Sequence, residues 1–329
     1  MKLKYNIIRT VTCLLLLLSL SVGALAYGDS LVPVGKTIGI DLSFGGVMVA
    51  ELTDVDGEKS PAAAAGLQKG DIITHLGGKR IRCASDFVES AESFDDGEIE
   101  LMLRRSGKEM TVCVTPCRGA DGVYRLGLWL RDGVSGIGTV TFYDPETGLY
   151  GALGHGINDP DTGEILPCEG GNVCRSSVTR VKKGAQGTPG ELCGEFAKSE
   201  ILGSIEINSA SGIFGKMTDA PEGEALEWAH KGDVKLGEAY IYANVQGGNT
   251  ELYTVEISRI YHEQTDNRDF LLSITDPGLL NTTGGIVQGM SGSPIIQDGK
   301  LVGAVTHVLV NDPTRGYGIF IENMLDAAS

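Results

Sequence analysis

From Thr37 to about Pro116 the chain is written largely in period two. The runs "TIGIDL", "GVMVAEL", "DIITHL", "IELMLRR" and "EMTVCVTP" alternate apolar and polar positions, the pattern of half-buried strands. Between them, "SPAAAAGLQKGD" predicts a short helix and "CASDFVESAES" a longer one, with Ser85 as N-cap and Phe87, Val88 and Ala91 at helical spacing. From Gly119 onward helical periodicity nearly vanishes, and short strands alternate with turn signals at the spacing of barrels and sandwiches. The turns "DPETG" (144–148) and "DPDTG" (159–163) echo one another, and "LYGALGHGIN" between them is a strand with His155 at its end. "IIQDGKLVGAVTHV" is a hairpin turning at Asp298-Gly299, and only the closing "IENMLDAAS" is helical in pattern. The sum is a mainly β protein in which a small α+β unit precedes a larger all-β unit.

Composition changes this picture at two points. With 329 residues and 47 glycines the chain suits two turn-rich domains better than one helical bundle. The net charge is −16 and the basic residues are scattered, which argues against nucleic acid or an anionic membrane as the main partner. At the N-terminus Lys2, Lys4 and Arg9 precede the apolar run "VTCLLLLLSLSVGALA", which closes on Ala24-Leu25-Ala26. This has the form of an export signal, removed or retained as an anchor. The division expected is a signal peptide or membrane anchor over 1–26, an exposed linker over 27–36, a small domain over 37–117 and a large one over 118–329. Of seven cysteines, Cys13 lies in the export signal; the other six permit disulfides in an exported chain, with no pairing indicated. No C-x-x-C pair supports a zinc site, and nothing calls for a metal or organic cofactor.

The run Ala65-Gly66-Leu67-Gln68-Lys69-Gly70-Asp71-Ile72-Ile73 resembles the A-G-L-x-x-G-D-x-I signature of bacterial protease-associated PDZ modules. The resemblance implies a peptide-binding module in which a glycine-containing loop offers N–H groups to a peptide carboxylate; by position that loop is Ile38, Gly39 and Ile40. A small α+β domain in which "GLQKGD" is only a turn is the competing reading.

The candidate chemistry lies in "IVQGMSGSPII", Ile286 to Ile296. A serine hydroxyl becomes a nucleophile only with an imidazole base, a group to orient it, and donors for the oxyanion. Gly289 and Gly292 flank Ser291 closely enough for a sharp bend, and the N–H groups of Gly289 and Ser291 can converge as an oxyanion hole. Ser293 is expected on the other side of the turn. Of five histidines, His75, His230 and His262 sit where a structural or exposed role suffices. His155 differs, because "LGHGI" brackets it with glycines where a strand meets a turn. D-T-G at 161–163 follows Asn158-Asp159-Pro160 and reads as a turn, not as an aspartic-peptidase motif.

"LGHGINDPDTGE" together with "IVQGMSGSPIIQDGKLVGAVTHVLVNDPTRGYGIFIENML", behind an export signal and a PDZ-like block, resembles the stage IV sporulation protein B serine peptidases. The resemblance covers nearly the whole chain after the signal. It implies a trypsin-like double β-barrel, with His155 as general base, Ser291 as nucleophile and Asp276, in "LLSITDPGLL", as the orienting acid. Asp276 lies far nearer Ser291 than His155 in sequence, unlike trypsin-like spacing; it also precedes Pro277, a ready turn starter. Asp159 is the rival acid. His307, in the strand after the nucleophile hairpin, is placed to touch a substrate side chain, against the reading of a packed strand histidine.

The function implied is an exported serine endopeptidase acting between forespore and mother cell. It would cut a membrane-associated regulator, and itself, leading to late sigma factor activation. A non-catalytic PDZ-containing envelope binding protein is the alternative. A general quality-control protease fits less well, because such proteins carry the PDZ after the protease and G-N-S-G-G around the serine.

Overall fold

The structure, a computed structural model, describes residues 28–160, 163–261 and 266–328. The export segment, His262 and most of the D-T-G turn lie outside the described residues. Among those described, no helix is long and apolar enough to cross a membrane.

The chain opens with β1 (Ser30–Pro33) and the sixteen-residue β2 (Thr37–Leu52). Then come α1 (Pro61–Ala64), β3 (Ile72–Leu76), β4 (Lys79–Arg80), α2 (Ala84–Ala91), β5 (Ile99–Arg105) and β6 (Lys108–Val114). A small ribbon of β7 (Cys117–Arg118) and β8 (Tyr124–Arg125) leads into β9 (Leu128–Tyr143), also sixteen residues long. The chain continues through β10 (Leu149–Ala152), β11 (Gly170–Lys182), β12 (Glu191–Ser204), β13 (Ile207–Ser209), β14 (Gly212–Lys216) and β15 (Leu226–Glu227). Six strands then close a barrel: β16 (Gly237–Gln246), β17 (Asn249–Ile260), β18 (Phe270–Ile274), β19 (Pro294–Gln297), β20 (Lys300–Leu309) and β21 (Asp312–Phe320). Helix α3 (Pro277–Thr283) lies between β18 and β19, and α4 (Ile321–Ala328) ends the described chain. The fold is mainly β, with a small PDZ-like module and two barrel-like β units.

The two long strands decide the architecture. Ile38, Ile40, Leu42 and Phe44 of β2 alternate into the first barrel core, whereas Val47 and Val49 enter the separate core of the small module. The switch falls at Gly45-Gly46, where the register of β2 against β9 breaks between Ser43 and Met48 and Gly45 has φ +69°. A bulge of this kind bends a strand and re-aims its side chains. Strand β9 makes the same passage in reverse, from Leu128 and Leu130 in the small core to Val140 in the barrel core. The PDZ-like module is thus inserted into the first barrel unit through two continuous strands, rather than standing ahead of it.

Two expectations change with this topology. The segment expected as an exposed lead over 27–36 is not one where it is described, from residue 28: β1 pairs with β15 and β9, and Leu31 and Val32 are buried. Helix α2 begins at Ala84, so its N-cap is Cys83, and Ser85 falls within its first turn. All six described cysteines are free thiols.

Helix α4 fastens the two barrels together. Met324 and Leu325 pack with Leu31, Phe142 and Phe214 of the first unit and with Leu301 and Ile319 of the second. At roughly 2 kcal/mol per buried large apolar side chain, this seam holds the cleft between the units in one geometry.

Candidate active site

Ser291 lies on the link between α3 and β19. Helix α3 carries both terminal signals of a short helix: Asp276 and Pro277 at its start, and Gly284 in the left-handed region (φ +76°) at its end. The link is bolted from three sides. Ile286 N–H donates to Pro313 O (2.8 Å), Gln288 N–H to Gly190 O (2.9 Å), and Gly292 N–H to Val305 O (2.7 Å). Strand β9 holds it as well, because Thr139 donates its Oγ1 proton to Gly289 O (2.7 Å) and its N–H to Ser291 O (3.1 Å). Met290 and Ser293 are fully buried, so the loop turns only Ser291 of these three toward the cleft.

His155 arrives from the other barrel unit. It follows Leu153 (φ +72°) and Gly154 (φ +69°), two consecutive left-handed residues at the end of β10. A leucine in that region is strained by roughly 1 kcal/mol, and it is held there by Leu153 N–H on Thr139 O (3.1 Å). Strain of this kind re-aims the chain so that the imidazole leaves the sheet and enters the cleft.

His155, Ser291, Gly289 and His307 line one cavity of about 500 Å³, whose other walls are chiefly apolar, including Ile137, Leu153 and Val287. Among the described residues, neither the Gly289 nor the Ser291 N–H donates to another group. Two free amides two positions apart beside the hydroxyl have the form of an oxyanion hole.

His155 Nδ1 lies 2.8 Å from the carbonyl oxygen of Gly156. A carbonyl can only accept, so Nδ1 carries the proton and Nε2 is left with its lone pair, as a general base requires. Burial holds the His155 pKa below the ordinary histidine value, with the Gly156 carbonyl acting in the opposite direction. The imidazole is therefore neutral at neutral pH. The Ser291 hydroxyl donates to Thr306 O (2.8 Å), so it must rotate about χ1 before it bonds to the imidazole.

The structure does not bring Asp276 to this imidazole. Its Oδ1 accepts the N–H of Leu279 (2.9 Å) as the N-cap of α3, and no hydrogen bond or ion pair joins it to His155. The place of the orienting acid is taken by the Gly156 carbonyl. Asp159, the rival, opens the 159–163 turn, its carbonyl accepting from Gly163 N–H (2.8 Å).

Ile38, Gly39 and Ile40 also lie elsewhere than expected. They form no loop; each pairs with β9 on one side and β11 on the other. With both edges hydrogen-bonded, no peptide can add there as a strand.

His307 does reach the cavity. Its ring centroid is 5.2 Å from that of His155, and its buried Nδ1 has no hydrogen-bond partner. Burial first, then the nearby His155 and Arg268, push its pKa down to about 4. Sequence reading missed Thr139 and Thr306, which hold the nucleophile loop and the hydroxyl. Neither stands in a motif; only the strand pairing brings them to Ser291.

Comparison with known proteins bears on the family. The family model described as "SpoIVB peptidase S55" matches residues 122–325, and a PDZ domain model matches residues 52–105. Mitochondrial serine protease HTRA2 of Drosophila willistoni is 44% identical over 57 residues, 17% of this chain and 13% of the relative, so the chain spans only a small part of that protein. Among solved structures, the active form of the Rv3671c protease of M. tuberculosis matches with 15% identity over 60% of this chain and 75% of that one, at a TM-score of 0.37. The PDZ domain of the SdrC-like protein of Listeria monocytogenes covers 28% of this chain and 93% of its own, with 22% identity and a TM-score of 0.24. The family match spans most of the chain and contains both His155 and Ser291: the chain belongs to the SpoIVB peptidase S55 family.

Proposed function

We propose that this chain is a serine endopeptidase in which His155 and Ser291 form the catalytic pair. The observation that carries the reading is their meeting, from two different barrel units, in one cavity with two unused amides. Substrate binding turns the Ser291 hydroxyl from Thr306 O toward His155 Nε2. Ser291 Oγ then attacks the scissile carbonyl carbon while its proton passes to Nε2. The carbonyl oxygen takes the negative charge and accepts from the N–H groups of Gly289 and Ser291. His155 returns the proton to the leaving amine, and water repeats the cycle on the acyl-enzyme. Once the hydroxyl leaves, Thr306 O is free to accept a substrate N–H. The test is hydrolysis of a mixed peptide pool by the wild type beside Ser291→Ala; equal cleavage, or none by either, would favour a binding protein.

The base sets the pH dependence. Because the His155 pKa lies below the ordinary 6.5, kcat/KM is level across neutral pH and falls only as the pH drops through that lower value. An acid limb at or above 6.5 contradicts this assignment.

Asp276 acts as a cap in this scheme. Asp276→Asn keeps an N-cap and retains near wild-type turnover, and Asp276→Ala loses about 1 kcal/mol of stability with turnover likewise retained. A loss on the order of 10⁴-fold in Asp276→Asn would instead restore the carboxylate to the imidazole.

His307, neutral and lacking a partner at Nδ1, is suited to hydrogen-bond a substrate group in a mostly apolar pocket. His307→Ala then changes residue preference at the scissile bond; an unchanged cleavage profile removes this role.

The biological setting proposed is that of the family resemblance. The enzyme is exported across the cytoplasmic membrane and cuts itself and a membrane-associated regulator between forespore and mother cell, leading to late sigma factor activation. The basic and apolar N-terminal segment supports export. In a spore-forming host lacking this enzyme, the wild type restores late sigma factor processing and Ser291→Ala does not.

A further inference from the structure

The cleft holds two imidazoles that come from different barrel units, His155 from just beyond β10 and His307 from β20. Their ring centroids lie 5.2 Å apart, with the planes tilted by 39°. A tetrahedral zinc ion holds an imidazole nitrogen at about 2.0–2.1 Å, so each ring centre sits roughly 3.2 Å from the metal and two ring centres about 5 Å from one another. The spacing in this cleft is that of two histidines on one ion.

The ring nitrogens are also in the state that coordination needs. His155 donates its Nδ1 proton to Gly156 O (2.8 Å), which fixes the ring and leaves the Nε2 lone pair free. A main-chain carbonyl in that place commonly supports a metal-bound histidine. His307 is neutral and so carries one nitrogen lone pair. Its buried Nδ1 has no hydrogen-bond partner, an uncommon condition for a buried polar atom, and a ligand at that nitrogen removes the cost. Peptide hydrolysis uses the His155 lone pair but gives His307 no part in proton transfer.

The donor set limits which ion fits and how it is held. Imidazoles take zinc, copper or nickel, whereas magnesium and calcium prefer oxygen ligands. Among the described residues no third histidine, cysteine or carboxylate joins the pair in a metal cluster. Two protein ligands leave the other tetrahedral positions to water, so the ion exchanges, unlike a structural zinc closed in by four side chains. The net charge of −16 draws cations to the chain. Arg268, the cation that bears on His307, is paired with Asp266 (3.7 Å), which offsets part of its repulsion.

We propose that His155 and His307 together bind a divalent ion of the zinc class, and that the bound ion reversibly shuts off the peptidase. The ion takes the His155 Nε2 lone pair, so that nitrogen can no longer accept the Ser291 proton. It also stands in the cavity into which the Ser291 hydroxyl must turn from Thr306 O. Removing the ion restores both without refolding. The loss of turnover rests on the peptidase reading above; the metal pair does not.

The test uses the full chain with zinc chloride, and magnesium chloride as the hard-cation control. Binding is read apart from turnover, from the imidazole resonances of the five histidines in Ser291→Ala. Zinc should shift two of them together along one saturation curve, and His155→Gln and His307→Gln should identify these as the two cleft rings. Magnesium should shift neither. In the wild type, zinc should lower kcat/KM at least about tenfold and EDTA should restore it. His307→Ala, measured against its own zinc-free rate, should need at least about tenfold more zinc for the same fractional loss. The free thiols are common to both chains, so that difference belongs to the histidine pair. Rings that do not move, or move separately, overturn the proposal. So does binding at both rings without loss of kcat/KM, or equal zinc sensitivity in His307→Ala. A joint shift on a chain that hydrolyses nothing, before zinc or after EDTA, contradicts the peptidase reading instead.

Discussion

Ser291→Ala should reduce peptide hydrolysis by roughly 10⁶-fold while leaving the fold intact, because the hydroxyl is the only atom lost and its one bond is to Thr306 O. His155→Ala should lose about as much, since without a base the hydroxyl is a poor nucleophile at neutral pH. The double variant should be no worse than either single one, because nucleophile and base act as a unit. Residual activity over water should survive in all three, supplied by the two amides at Gly289 and Ser291. Steady-state kinetics on one peptide substrate, with circular dichroism as a folding control, gives all four numbers. Additive losses in the double variant would show that the two residues work separately.

Gly292→Ala should be the most damaging conservative change in the site. At φ +97° a side chain is strained from the start, and a Cβ there would lie 2.0 Å from Thr139 O and 2.6 Å from Leu153 N, both backbone atoms. Neither can retreat cheaply, since Thr139 O also receives the Leu153 N–H. The expected destabilisation is on the order of 3 kcal/mol. Ser291 should be displaced with it and turnover largely lost. Gly299→Ala is the control: its φ is +77° but nothing lies within 4 Å of the added carbon, so only about 1 kcal/mol of backbone strain remains. Thermal unfolding of the two variants side by side should separate them by several degrees. Equal melting temperatures with full activity in Gly292→Ala would mean that the loop is not locked against β9 as described.

Much of this molecule is legible in its sequence, for identifiable reasons. The alternating runs specify strands because one face of each is buried, and β2 and β5 appear in the structure where "TIGIDL" and "IELMLRR" stand. His155 and Ser291 stand out because glycines mark sharp changes of chain direction. The domain boundary did not show: "TIGIDLSFGGVMVAEL" reads as two adjacent strands, and only long-range pairing reveals one bent strand serving two cores. The same blindness misplaced Ile38–Ile40, since a glycine between two isoleucines looks alike in a loop and in a doubly paired strand. Asp276 is the instructive case. Aspartate before proline is a helix N-cap by local physics, and the structure keeps that local role. The Gly156 carbonyl and Thr306 carbonyl were beyond reach, because backbone groups carry no signature in residue identity.

The most direct measurement of the central claim is covalent labelling of the full chain by a fluorophosphonate, with the modified residue located by mass spectrometry. The account predicts a single adduct on Ser291, formed rapidly by the wild type and by Asp276→Asn, and lost in His155→Ala. Labelling at another residue, or labelling of Ser291 at the same rate without the imidazole, would contradict it.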